Sequence, residues 1–116
     1  MPLDDIERQT IVDFVRHFPP APHSAMDCSH FVCCAIKTVR PDLPYMTTET
    51  MAQKMERVDS PRPGDIIYFP NPGHVAVLVL ADGIWFVGSQ TSTGVCPVRE
   101  ENYYWMEHAC MFLQLE

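Results

Sequence analysis

The apolar residues of this chain change period once, at Pro61-Arg62-Pro63-Gly64-Asp65. Before that cluster they recur at the three-to-four-residue spacing of a single buried helix face. After it, short runs of β-branched and aromatic residues alternate with turn residues. Helices first and strands afterwards, without alternation, define the α+β class.

The first helix is expected over residues 4–17. Ile6, Ile11, Phe14, Val15 and Phe18 lie at helical spacing, and Asp4 and Asp5 suit the positive end of the helix. Phe18-Pro19-Pro20-Ala21-Pro22-His23 then ends it in a stiff connector. A second helix begins around Asp27-Cys28 and stops before Pro41, with Val32, Ala35, Ile36 and Val39 as its buried stripe. Thr47 or Thr48 caps a third, on which Met51, Met55 and Val58 repeat. Strands are expected over 66–69, 74–80, 84–90, 95–98 and 109–115, with Ala81-Asp82-Gly83 as a hairpin turn. The expectation is one domain over residues 1–116, its helices packed on a five-stranded antiparallel meander.

Charge and cysteine content narrow the functional classes. The formal net charge is −7, and the eight Lys and Arg form no run. An acidic surface is not attracted to nucleic acid or to an anionic membrane, so neither is expected as the main partner. The N-terminus, Met1-Pro2-Leu3-Asp4-Asp5, is acidic where a secretory leader is basic, and no apolar run is long enough to span a bilayer. The expected location is soluble and cytoplasmic where made. Five cysteines are an odd count for a disulfide framework and are read as reduced and mostly buried.

Cys28 stands at the start of an apolar helix, and His74 opens an apolar strand. A free thiol with a pKa near ~8.5 is only a few per cent thiolate at neutral pH, and both a helix start and an adjacent imidazole activate it. Alone, either residue is more commonly structural. Cys28, His30, Cys33 and Cys34 resemble metal ligands only superficially. On one helix they point around the cylinder instead of converging, so no metal and no cofactor is expected.

Asp27-Cys28-Ser29-His30-Phe31-Val32, Arg62-Pro63-Gly64-Asp65-Ile66-Ile67-Tyr68-Phe69 and Gly73-His74-Val75-Ala76-Val77 follow one another in order. With Trp85-Phe86-Val87-Gly88-Ser89-Gln90 behind them, they resemble the NlpC-type cell-wall cysteine peptidases of the papain-like superfamily, over roughly Ser24 to Val98. The resemblance implies a papain-like NlpC-type fold, Cys28 as nucleophile and His74 as general base. It implies an oxyanion site at the backbone N–H groups near Cys28, and Asp27 and Ser29 as polar groups holding the substrate's free amine. The implied substrate is a peptidoglycan stem peptide, cleaved at the γ-D-glutamyl–diaminopimelate amide. Related interbacterial amidases would add delivery to the periplasm or cell wall and an immunity or carrier protein as partner.

Two positions depart from the family pattern. His30 stands where glycine is usual and lines the cleft or points to solvent. The third polar residue, often histidine, aligns with Gly88, which cannot orient an imidazole. Gln90 lies two residues on, hence on the same strand face, and offers an amide oxygen to His74. Ser89 would need a bulge, and a bare Cys28–His74 dyad is the remaining option. Alternative functions are a papain-like acyltransferase or deamidase acting on another substrate, and an inactive peptide-binding domain.

Overall fold

The computed structural model describes residues 2–115. Its elements are α1 (Asp5–His17), α2 (Cys28–Lys37), α3 (Thr48–Lys54), β1 (Glu56–Val58), β2 (Ile66–Phe69) and β3 (His74–Leu80). These are followed by β4 (Trp85–Gln90), β5 (Gly94–Arg99), α4 (Tyr103–Met106) and β6 (Met111–Gln114). The six strands form one sheet in the order β1-β6-β2-β3-β4-β5, and every neighbouring pair is antiparallel.

The expected α+β class holds, but the sheet has six strands and not five. The additional strand is Glu56–Val58, where helical spacing carried the third helix on to Val58. The helix instead ends at Lys54, and Met55 turns into extended backbone. Glu56 and Val58 then pair with Gln114 and Phe112. The meander of β2 to β5 is interrupted on its other side, because β6 returns to lie between β1 and β2.

The sheet is buried on both faces near its centre. Val75, Val77, Val79 and Val87 join Ile11, Val15, Phe31, Val32 and Ile36 on the helical side. On the opposite face Ile67, Phe69, Ala76, Leu78, Phe86 and Val98 pack with Trp105 of α4. Phe31, Phe69 and Phe86 are among the largest fully buried side chains, and each stabilises the fold by about 1.5–3 kcal/mol. Ile6, expected on the inner stripe of α1, is 80% exposed, and Arg8 is buried instead. The Arg8 guanidinium reaches the carboxylate of Asp65 at 2.7 Å and ties α1 to the turn before β2. Asp65 also accepts a bond from the Arg62 N–H, so the Pro63-Gly64-Asp65 turn is a fastening between helix and sheet.

The segment leading into α2 is pinned across the ends of β4 and β5. The Val95 N–H donates to the Ala21 carbonyl at 2.8 Å. Gly94 has φ +70, and a side chain there would run into that same carbonyl. Ser89 Oγ donates to the Met26 carbonyl, and His23 Nδ1 lies 3.1 Å from the Ser89 carbonyl. Cys28 is therefore held from both sides of the connector. All five cysteines are unpaired, but only Cys33 is buried. Cys34 falls on the outer face of α2 and Cys110 in the loop before β6, and both are exposed, against the expectation of mostly buried thiols. Among the described residues no helix is long and apolar enough to cross a membrane.

Candidate active site

Asp27 caps α2 with extended backbone, which leaves Cys28 as the first helical residue. Asp27 Oδ1 accepts from the His30 N–H at 2.9 Å, from the His30 ring at 2.8 Å and from Ser29 Oγ at 3.1 Å. Burial pushes this carboxyl's pKa up, but those donors outweigh it and hold the group below its ordinary value. Oδ2 has no partner among the described residues. The same is true of the Cys28 and Ser29 backbone N–H groups, the first two of the helix. They form a ready donor pair beside the thiol.

Cys28, Asp27, Ser29, His23 and His74 line one cavity of about 260 Å³, together with Pro72, Gly73, Thr91 and Trp105. Cys28 Sγ lies 3.8 Å from the hydroxyl of Thr48 at the start of α3. His74, the first residue of β3, is 5% exposed. Its ring packs against Trp105 with centroids 4.7 Å apart, and against Phe69 and Phe86 more distantly.

Gln90 completes the constellation from β4. Its Oε1 lies 3.1 Å from His74 Nε2, while its Nε2 donates to the Cys96 carbonyl and to Thr93 Oγ1, each at 3.2 Å. A carbonyl oxygen can only accept, so the amide nitrogen belongs on the Cys96 side and the amide oxygen on the histidine side. His74 Nε2 must then donate. The neutral ring carries its lone pair on Nδ1, which has no partner among the described residues. Burial pushes the His74 pKa down to about 4, against the Gln90 bond, which favours the charged form. A charge on His23 would lower it further. The imidazole is thus neutral and basic at Nδ1 throughout the neutral range.

Of the residues expected at the site, Cys28, His74, Asp27 and Ser29 share the cavity, and Gln90 stands behind His74. His30 does not line it. Its ring is more than half exposed, bonded to Asp27 and stacked on Tyr45 at 4.4 Å. Ser89 faces the other way and fastens the connector. Of the nearby aromatics, Tyr45 meets Ser29 Oγ at 2.7 Å, whereas Tyr68 packs against the helical core. Trp85 lies away from the cavity, beside Arg16 and Arg99. The wall is Trp105, which the sequence reading missed. Asn102 as a cap before Tyr103-Tyr104-Trp105-Met106 is the signal that could have found it. Thr48, expected only as a candidate helix cap, also meets the thiol.

A thiol at a helix head shares one cavity with an amide-oriented imidazole on an antiparallel sheet, in an α+β protein, and that arrangement suits thiol acyl-transfer chemistry. Residues 18–114 match the NlpC/P60 family, and the chain belongs to it. The match begins where α1 ends and takes in every element from α2 to β6. Members of this family are generally cysteine peptidases and amidases of the cell wall. No curated protein matches the chain.

Proposed function

We propose that the protein hydrolyses an amide bond in peptidoglycan stem peptides, with Cys28 as nucleophile, His74 as general base and Gln90 as the residue that orients His74. The observation that carries this reading is the His74–Gln90 bond, which directs the only basic ring nitrogen away from the amide. As Sγ attacks the carbonyl carbon, Nδ1 takes the thiol proton. The oxyanion is held by the Cys28 and Ser29 N–H groups. The tetrahedral species collapses as the imidazolium returns its proton to the leaving amine, and a thioester remains on Cys28. Water, deprotonated by the same nitrogen, attacks the thioester and releases the carboxylic acid and the thiol.

The proposed bond is γ-D-glutamyl–diaminopimelate. Asp27 Oδ2 is the free acceptor for an ammonium group on the acyl side, and Ser29 stands beside it. An acidic protein gains no long-range attraction to an anionic stem peptide, so recognition is short-range. The test is mass spectrometry of defined muropeptides after digestion. A new amine on diaminopimelate with release of the D-glutamyl fragment is expected. Cleavage only at the cross-link would make the protein an endopeptidase, a product carrying a new acceptor would make it a transferase, and binding without cleavage would make it a peptide-binding domain.

A further inference from the structure

A second cavity of about 460 Å³ opens beyond the catalytic one. The two share Pro72, Thr91 and Trp105, and the second also contains Gln90 but neither Asp27 nor Ser29. The surface therefore runs from Asp27 and Ser29, past Cys28 and His74, around Trp105 and into the larger groove. If the acyl side of the scissile amide rests on Asp27 and Ser29, the amine side enters that groove.

Among the described residues no Asp, Glu, Lys, Arg or His lines the second cavity. Its polar groups are neutral: the hydroxyls of Thr91, Ser92 and Tyr104, and the Asn102 amide. Thr93 Oγ1 is occupied by Gln90 and the Gly94 carbonyl, and Asn102 Oδ1 by the Trp105 N–H. The Thr91, Ser92 and Tyr104 hydroxyls and the Asn102 NH₂ have no partner among the described residues. Trp105 is only 9% exposed and its ring packs on His74 and Phe69, so it offers the groove an edge and not a stacking platform. Free neutral donors and acceptors along a groove suit peptide N–H and C=O groups. A bare ammonium or carboxylate would meet no opposite charge there.

We propose that this groove is the subsite for the amine side of the substrate, and that it selects a leaving residue whose outer groups are capped as amides. The proposal rests on the reading of the site given above. Its natural occupant is a diaminopimelate whose far amine is acylated in a cross-link and whose far carboxyl is amidated.

Two synthetic substrates with the same γ-D-glutamyl–diaminopimelate bond test this, one with the far amine and carboxyl free and one with both capped. Wild-type protein should cleave the capped substrate with kcat/KM about tenfold higher. Ser92→Asp lies in an exposed turn and gives the groove a carboxylate. In that variant, with unchanged melting temperature, the preference should shrink or invert. Equal cleavage, preference for the free substrate, or a preference untouched by Ser92→Asp overturns the subsite while leaving the hydrolase reading intact. Cleavage of neither substrate overturns both.

Discussion

The amide oxygen of Gln90 lies only 2.8 Å from where a Cβ on Gly88 would stand. That Cβ would also come within 2.7 Å of the Ala76 Cβ and 3.2 Å of His74 Nε2. Gly88 and Gln90 thus share one space on the same face of β4. Gly88, where the resemblance puts a third polar residue, leaves a space that the Gln90 amide fills. Gly88→Ala should therefore displace Gln90 and lower activity. Gly88→His should fail to restore a triad in the presence of Gln90. A crystal structure of Gly88→Ala with the His74–Gln90 bond intact would contradict this.

Gln90→Ala removes the acceptor for His74 Nε2 and frees the ring to rotate or change tautomer. The expected loss in kcat is about 10- to 100-fold, the range for removing the partner that orients a functional histidine. KM should change little by comparison, and the melting temperature should fall, because Gln90 is 2% exposed and its loss leaves His74 Nε2 without an acceptor. Full activity in Gln90→Ala would reduce the site to a bare Cys28–His74 dyad.

His74 ties stability to pH with a defined sign. Its ring is neutral in the fold down to about pH 4, whereas in the unfolded chain it titrates near ~6.5. Between those values the unfolded chain binds a proton that the native protein does not. The contribution is complete above about pH 6.5 and is lost as pH falls toward the native value, amounting to roughly 3 kcal/mol at most. Denaturant unfolding at several pH values should show this slope in the wild type and lose it in His74→Gln. Equal slopes in both proteins would contradict the burial-driven shift.

Asp65 fastens α1 to the sheet, and its loss should be felt as stability. Asp65→Ala leaves the Arg8 guanidinium buried without its carboxylate, which costs about 3–5 kcal/mol. Arg8 keeps only weaker contacts, at 3.3 Å each, to the Pro63 carbonyl and Gln114. Thermal unfolding reads the effect directly. A variant that melts like wild type would show that this turn holds nothing together.

Much of this was legible because it is periodic. The stripe Val32, Ala35 and Ile36 fixed α2 and put Cys28 at its head. The period of two in β4 put Gln90 on the strand face of Gly88 as one option beside Ser89 and a bare dyad, and its bond to His74 is the structure's contribution. What escaped was short and non-local. Glu56–Val58 is three residues long with mostly exposed side chains, and it is a strand only because β6 returns beside it. α4 is a single turn whose purpose is to set Trp105 on the far face of the sheet. Ile6 fits the inner stripe by spacing, yet Arg8 takes the buried position because Asp65 is there to receive it.

The central claim is that Cys28 and His74 act as one unit, with His74 drawing the thiol proton to Nδ1. The most direct test is kcat/KM on one defined muropeptide for wild type, Cys28→Ala, His74→Ala and the double variant. Each single change should abolish turnover in a protein that still folds, with His74→Ala melting lower because its buried ring packs on Trp105 and bonds Gln90. The double variant should turn over no worse than either, as for residues that act together. Hydrolysis at the wild-type rate by Cys28→Ala or His74→Ala would contradict it.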